Sequence, residues 1–482
     1  MSETSSPRAL SEAQRRAVAE LLRVSPVADE LGRRFAEAGH ELHLVGGPVR
    51  DALLGRAHDD LDFATDATPD ETLRLLTGWA EATWETGREF GTIGAQRDGL
   101  RLEITTYRAE AYDGVTRNPV VRFGTSLVDD LRRRDFTVNA MGVSFPGHVF
   151  TDPFGGLDDL AAGLLRTPGT PEESFGDDPL RMLRAARFAA QLRFRLDPAV
   201  RAAMAAMAAD LDRITSERIR DEFTKLLCSD DPVTGVRLLV DTGIADRFIP
   251  EVSGLKLEID EHAQHKDVYE HTLTVVQNAV RLEGSAGPDF VLRMAALMHD
   301  VGKPATKAVG PDGRGVSFHH HEVVGARLTK QRMKALRYPK DVTADVVDLV
   351  ALHLRFYGYG RGEWTDSAVR RYATDAGPLL PRLHKLTRSD VTTRNRRKAA
   401  QLAADYDALE ERIERLAAAE DLARVRPDLD GNVIMALLGV PPGPVVGRAW
   451  RHLKELRLER GPLGHDEAVA ELLRWAEREG LR

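Results

Sequence analysis

The sequence predicts an α+β fold class: a small mixed α/β head followed by a long all-α body. Three observations carry this expectation. Between Glu41 and about Phe150, short strand-like runs alternate with helical stretches and glycine turns. From about residue 160 strand signals nearly vanish, and Ala, Leu and Arg recur at helical spacing through to the C-terminus. At 482 residues the chain is too long for one ordinary core. Five segments follow: a helical stretch over 1–40, the head over 41–165, a helical neck over 166–255, a second helical domain over 256–400 and a helical tail over 401–482.

Composition narrows the class. An apolar fraction of 42% with 29% charged residues suits a soluble globular protein, not a disordered one. Cys228 is the one cysteine, so neither an intrachain disulfide nor a cysteine-rich zinc site is expected. No stretch approaches the ~20 apolar residues that span a bilayer, and the opening Met1-Ser-Glu-Thr-Ser-Ser has no apolar signal core. A cytoplasmic location is expected, with no membrane partner and no obligate protein partner. The net charge of −8 speaks mildly against a nucleic-acid partner. Local surface decides that question, however, and arginines cluster at Arg132-Arg133-Arg134, from Arg181 to Arg187 and from Arg394 to Lys398.

Along the chain, Leu21, Leu22, Val27, Leu31 and Phe35 fall on roughly helical spacing. The head strands are expected at His43-Leu-Val, Leu61-Asp-Phe, Thr92-Ile-Gly, Leu102-Glu-Ile-Thr-Thr and Gly142-Val-Ser-Phe. In Leu44-Val-Gly-Gly-Pro-Val-Arg-Asp-Ala-Leu-Leu-Gly55 a strand runs into Gly46-Gly47, Pro48 suits the first helical turn and Gly55 suits a helix stop. Glycines at a helix start let backbone N–H groups approach an anion, and Arg50, one turn in, can reach a phosphate. Alone, such a pair is more often only a tight turn.

One helix later comes Asp59-Asp60-Leu61-Asp62-Phe63-Ala64-Thr65. In a strand, Asp60 and Asp62 project to one face about 6.5 Å apart at Cα, with Leu61 and Phe63 packing behind. Like charges that close call for a cation between them. Two Mg²⁺ ions roughly 3.5–4 Å apart answer this in phosphoryl transfer, one on a triphosphate and one activating a 3′-hydroxyl. Glu103 faces away from Leu102, Ile104 and Thr106 and is the candidate third carboxylate. A lone Asp-x-Asp mostly marks an exposed loop; the nearby glycine turn gives this one weight.

Gly46-Gly-Pro-Val-Arg-Asp51 with Asp60-Leu-Asp-Phe-Ala-Thr65 resembles the head motif of the class II, bacterial-type tRNA CCA-adding nucleotidyltransferases and their poly(A) polymerase relatives. The resemblance continues through Tyr107-Arg108, Tyr112-Asp113 and Arg117-Asn-Pro119, a segment similar to the family's mobile loop. It then covers Arg133-Arg-Asp-Phe-Thr-Val-Asn-Ala140, Asp152-Pro-Phe-Gly-Gly156 with Asp159-Leu160, Asp177-Asp-Pro-Leu-Arg-Met-Leu-Arg184 and Ser216-Glu-Arg-Ile219. It implies catalysis by Asp60, Asp62 and Glu103, with Mg²⁺ on the first two. It also implies nucleotide binding by Gly46, Gly47 and Arg50, and ribose and phosphate binding by Arg134, Asp135 and Asn139. Base reading falls to Asp178, Arg181 and Arg184. Asp178 and Arg181, at i and i+3, are expected on one helix face, where an acid and an arginine satisfy the edge of cytosine or adenine. The competing reading of that spacing is an intrahelical salt bridge. The family's helix begins Glu-Asp; here it begins Asp177-Asp178, one methylene shorter.

A second candidate site lies in the body. His271, His299, Asp300 and Asp390 match, in order and type, the metal-ligand motif of HD-domain phosphohydrolases. Further histidines occur in Phe318-His-His-His321 and at His353. Segment 256–400 therefore resembles an HD domain, with donors suited to Mn²⁺, Ni²⁺, Fe²⁺ or Mg²⁺. Asp428-Leu-Asp-Gly-Asn-Val-Ile-Met435 and Leu438-Gly-Val-Pro-Pro-Gly-Pro-Val-Val-Gly447 resemble the family's tail, which contacts tRNA. Arg448, Arg451, Lys454 and Arg457 would form a basic stripe there. The implied function is addition of C, C and A to the tRNA 3′ end from CTP and ATP. Three alternatives stay open: a poly(A) polymerase, a CC-only or A-only adding enzyme, and an HD phosphohydrolase or tRNA-binding module with an inactive head.

Overall fold

The computed structural model describes all residues except 1–25, 57–59, 110–121, 125, 258–266, 310–315, 357–358, 360–363, 394, 421–426 and 482. Leu21, Leu22, Asp59, Tyr112-Asp113, Arg117-Asn-Pro119 and Arg394 thus lie outside the described residues. The chain divides into two compact units, Met1–Phe248 and Ile249–Arg482.

The first unit opens with helix α1 (Pro26–Glu37), whose Val27, Leu31 and Phe35 are buried at i, i+4 and i+8. The head is a seven-stranded sheet: β1 (Leu42–Val45), β2 (Asp60–Thr65), β3 (Ala82–Trp84), β4 (Thr92–Arg97), β5 (Leu100–Thr106), β6 (Gly142–Phe145) and β7 (Phe150–Thr151). Their spatial order is β3-β4-β5-β2-β1-β6-β7. All five expected strands are present. The edge strands β3 and β7 have three and two residues, too few for alternation to register in a sequence. β1 pairs antiparallel with both β2 and β6, while β2 runs parallel to β5. A Cβ on Gly32 would lie 2.5 Å from the Cβ of Phe145, so α1 seats on β6 at a distance that glycine permits. Helix α2 (Gly47–Leu53) joins β1 towards β2. The neck follows as α3 (Pro171–Asp177), α4 (Leu180–Leu192), α5 (Ser216–Leu227) and α6 (Pro232–Asp241), with α4 packed on both α5 and α6.

The second unit is helical apart from one two-residue hairpin ladder, Ala308–Val309 with Val316–Ser317, among the described residues. Helices α7 (Val268–Glu283), α8 (Phe290–Met298), α9 (His321–Ala335), α10 (Lys340–Leu352) and α11 (Leu380–Ser389) pack around α8 and α10. Every residue from Val291 to Met298 is buried. Arg293 is tolerated there because Glu283 takes its guanidinium, with Nη2 donating to Oε2 at 2.6 Å. Beyond lie α12 (Gly431–Leu438), α13 (Pro444–Arg460) and α14 (His465–Arg478), closed around Leu429, Ile434, Leu453, Leu472 and Trp475. No helix among the described residues is long and apolar enough to cross a membrane.

Candidate active site and candidate metal centre

The pleat of β2 sorts its residues. Leu61 and Phe63 are buried on one face, while Asp60 is exposed and Asp62 half-buried on the other. β5 pairs with β2 in register, Asp62 opposite Glu103 and Asp60 opposite Arg101. Side chains opposite each other in a parallel pair share a face, and the strands are about 4.8 Å apart. Asp60, Asp62 and Glu103 therefore stand on one face, with Leu102 and Ile104 buried behind Glu103. Arg101 Nη2 lies 3.4 Å from Glu103 Oε1 and offsets part of the negative charge. Carboxylate oxygens on an open face are the hard donor set that Mg²⁺ takes while keeping several waters.

At the end of β1, Gly46 has φ 77° and ψ −135°, a conformation strained for any residue with a Cβ. A Cβ there would also sit 2.7 Å from Arg134 Nη1, so the Arg134 guanidinium lies against the glycine turn. Gly47 opens α2 with Pro48 next, and Leu54 caps it ahead of the left-handed Gly55, as expected of a helix stop.

Arg50 departs from its expected role. Its Nε and Nη2 donate to the two carboxylate oxygens of Asp51, both at 2.8 Å, and Nη1 donates to Asn139 Oδ1 at 2.7 Å. The guanidinium is buried and turned inward rather than towards a phosphate. Asn139 Nδ2 passes the network to Asp135 Oδ1 at 2.9 Å, which also accepts from the Phe136 N–H. Asp135 Oδ2 accepts Nε and Nη2 of Arg184 at 2.8 and 2.6 Å. Arg184 and Arg187 then share Glu222, with Arg187 Nε at 2.6 Å. Both oxygens of Asp135 are thus occupied within the protein, where a ribose acceptor was expected. Burial alone pushes this carboxyl upward, but the Arg184 guanidinium and Asn139 amide outweigh it and hold it well below the usual range.

The shared helix face of Asp178 and Arg181 is corrected. α3 ends at Asp177, Asp178 is extended at φ −144° and ψ 99°, and α4 starts at Leu180. Pro179 is the cause, because its ring disfavours helical geometry in the residue before it. Asp178 instead accepts the Leu180 N–H at 3.1 Å and pairs with Arg218 at 2.7 Å. Arg181 and Arg184 do share α4. Arg181 is held by the Ser174 hydroxyl at 3.0 Å and by the Arg133 carbonyl at 2.5 Å.

In the second unit, His271, His299, Asp300 and Asp390 converge. His271 Nε2 is 2.9 Å from Asp390 Oδ1, and His299 Nε2 is 3.2 Å from Asp300 Oδ2. His299 Nδ1 meets the Ala296 carbonyl at 2.8 Å and His271 Nδ1 the Thr392 hydroxyl at 3.0 Å, which turns both Nε2 atoms inward. His299 Nε2 is buried without a hydrogen-bond partner, as suits a cation ligand. Burial lowers the His299 proton affinity, yet Asp300 and then Asp390 raise it to about 9. The same negative field favours a divalent cation. The cluster extends further than the four-residue motif. His321 Nε2 lies 3.3 Å from Asp300 Oδ1, and the His353 ring centroid lies 5.3 Å from those of both His299 and His321.

Three family models match the chain: the poly A polymerase head domain over residues 42–166, the probable RNA and SrmB-binding site of polymerase A over 193–255, and the HD domain over 268–395. Fold and matches together define a nucleotidyltransferase that carries an HD domain. The A-adding tRNA nucleotidyltransferase of Deinococcus radiodurans is 35% identical over 444 residues, 90% of this chain and 95% of that protein. The chain belongs to the family of bacterial-type CCA-adding tRNA nucleotidyltransferases. The CCA-adding enzyme of Lactobacillus gasseri is 40% identical over 232 residues, 48% of this chain and 56% of that protein, so that match spans about half of each. The Bacillus stearothermophilus CCA-adding enzyme in complex with CTP has the same fold, with a TM-score of 0.67 at 24% identity over 95% of this chain and 99% of that one.

Proposed function

We propose that the chain adds C, C and A in turn to the tRNA 3′ end, using CTP and ATP. The observation that carries this is the shared face of Asp60, Asp62 and Glu103, in one compact unit with the arginines of α4. Asp60 and Asp62 would hold Mg²⁺, which when bound would offset the triphosphate charge and favour ionisation of the attacking 3′-hydroxyl. Glu103 completes the carboxylate face. Gly46, Gly47 and Arg134 receive the phosphates. Asp178 and Arg181 read the base, and the chain from Arg50 through Asn139 and Asp135 to Arg184 keeps that wall in place. In this reading the head is 41–165, the neck 166–255, the HD domain 256–400 and the tRNA-binding tail 401–482. Solved relatives with CTP, with ATP and with tRNA support those three partners. In the HD domain, His271, His299, Asp300 and Asp390 hold a divalent cation.

A second reading has its own support, since the relative matched over 90% of the chain is an A-adding enzyme. Incubation with tRNA ending at the discriminator base, and separately with tRNA ending in CC, distinguishes the two. With Mg²⁺ and each NTP alone and together, sequenced products ending in CCA from the first substrate support the proposal. Extension of the second substrate alone assigns A-only addition, and a long A-tail assigns a poly(A) polymerase.

Arg181→Ala is expected to weaken the choice of CTP and ATP over UTP and GTP by roughly tenfold, the value of a lost base-edge contact. Competition assays with mixed NTPs read this directly, and an unchanged preference removes Arg181 from base reading.

The tail stripe is narrower than its spacing suggested. Arg457 is paired with Asp428 and Lys454 lies over Trp450, while Arg448, 3.9 Å from Glu479 Oε2, and Arg451 are the exposed members of the stripe. Changing both to glutamate is expected to weaken tRNA binding and to flatten its salt dependence by about 0.7–0.9 log units per lost phosphate contact. A salt slope equal to that of the parent protein would remove these residues from the RNA interface.

A further inference from the structure

The carboxylate face of the head extends beyond its three acids. Asp62 stands opposite Glu103, Glu103 opposite Gly94, and Gly94 opposite Trp84. Opposite residues share a face, so one row crosses four strands: acids on β2 and β5, a bare glycine on β4 and an indole on β3. A Cβ on Gly94 would stand 1.9 Å from Trp84 Nε1 and 2.0 Å from its Cε2. The missing side chain therefore lets the indole lean inward over β4, towards Glu103. Beside this row, Arg101 sets its Cζ 5.1 Å from the Trp84 ring centroid, while its Nη2 lies 3.4 Å from Glu103 Oε1. The Arg101 side chain is 59% exposed, and Trp84 is half-buried.

Sheet order decides which substrate meets this pair. β1, with Arg134 against its Gly46 turn, flanks β2 on one side, and β5, β4 and β3 follow on the other. In an in-line displacement the attacking and leaving oxygens stand on opposite sides of the phosphorus. With the triphosphate received on the β1 side, the attacking 3′-hydroxyl arrives from the β5 side, across Glu103. Trp84 and Arg101 lie on that path. Their chemistry is that of single-strand binding: an aromatic ring or a guanidinium plane stacks on a base, and the cation attracts the backbone.

We infer that Trp84 and Arg101 seat the last nucleotide of the RNA being extended, whose base stacks on the pair while its 3′-hydroxyl reaches past Glu103 to Asp60 and Asp62. The assignment rests on the reading of the head as a tRNA nucleotidyltransferase. Stacking accepts every base, which suits a strand whose final residue changes as it grows. A ring that covers a cross-strand glycine also stabilises a sheet. A purely structural Trp84 is therefore the competing role.

The test uses the full chain, Mg²⁺, ATP and tRNA ending in CC, alongside the same RNA with its last base removed. Trp84→Ala is expected to raise the KM for the RNA about tenfold, the order of one lost base stack, and to leave the KM for ATP unchanged. Removing the terminal base should cost the parent protein a similar factor and Trp84→Ala almost nothing more. Trp84→Phe should recover most of the loss. A lowered melting temperature with an unchanged RNA KM, or a base-removal penalty as large in Trp84→Ala as in the parent, assigns Trp84 to the sheet alone and overturns the seat. Should Trp84→Ala unfold, Arg101→Ala carries the same expectations from an exposed position. A parent protein that extends no tRNA overturns the nucleotidyltransferase reading and the seat with it. Extension by the parent with these readouts unmoved overturns the seat only.

Discussion

Asp62→Ala is expected to abolish incorporation of both CTP and ATP, by about a thousandfold or more, while fold and tRNA binding persist. The size follows from the loss of a metal ligand, since several kcal/mol of transition-state charge stabilisation corresponds to a factor of that order. The persistence of fold follows from position. Asp62 is half-buried on the polar face of β2, whereas the strand is anchored from behind by Leu61 and Phe63. Its in-register neighbour is Glu103, so truncation removes a like-charge crowding instead of opening a cavity. Asp62→Asn keeps the shape, loses the charge and is expected to fail equally. Labelled-nucleotide extension of tRNA measures the first effect, and gel-shift titration with circular dichroism measures the second. Activity above ~1% of the parent level would falsify the metal assignment, because it leaves under 3 kcal/mol for the ligand.

The carboxylate face was legible because strand alternation is a local rule. Leu61 and Phe63, then Leu102 and Ile104, are apolar at every second position, and that alone sets Asp60, Asp62 and Glu103 on the opposite face. That β2 and β5 are parallel neighbours in register was not legible, since nothing local pairs residue 62 with residue 103. The base-reading segment misled through one residue. Counting i, i+3 from Asp178 assumes an unbroken helix, and Pro179 breaks it. The inward roles of Arg50 and Asp135 were hidden for another reason: a charged residue type does not reveal whether its partner is a ligand or another side chain. In the histidine cluster, His319, His320 and His321 are indistinguishable in sequence. Only His321 is buried, because α9 begins there against Gly302, while His319 and His320 are exposed. His353 carried one weak signal, its place one helical turn after the buried residues Leu349 and Val350.

Arg184→Ala is expected to destabilise the first unit by about 3–5 kcal/mol, the cost of leaving a buried charge without its partner. Asp135 has a side-chain exposure of 7% and depends on Arg184 for both donors to Oδ2. Glu222, by contrast, keeps Arg187 and is less affected. Thermal unfolding of a unit this size should shift by roughly 10 °C. The pH dependence carries the sharper signature. In the parent protein the Asp135 carboxyl is held below its ordinary range, so its contribution is full above about pH 4 and is lost as the pH falls further. Without Arg184 the upward push of burial gains weight, and protonated Asp135 becomes the better-tolerated form. The deficit of the variant should therefore narrow as the pH falls from 7 towards about 4. Removing both charges, in Asp135→Asn with Arg184→Met, should recover most of the stability, since the neutral pair leaves no buried ion and the introduced amide can still accept from Asn139. A constant deficit across pH, or a double variant as unstable as the sum of the singles, would show that Arg184 acts through packing on Phe188 and not through its charge. Nucleotide addition by the refolded double variant then separates the two roles of this wall. Activity near the parent level would mean that Asp135 and Arg184 position the site without touching the substrate.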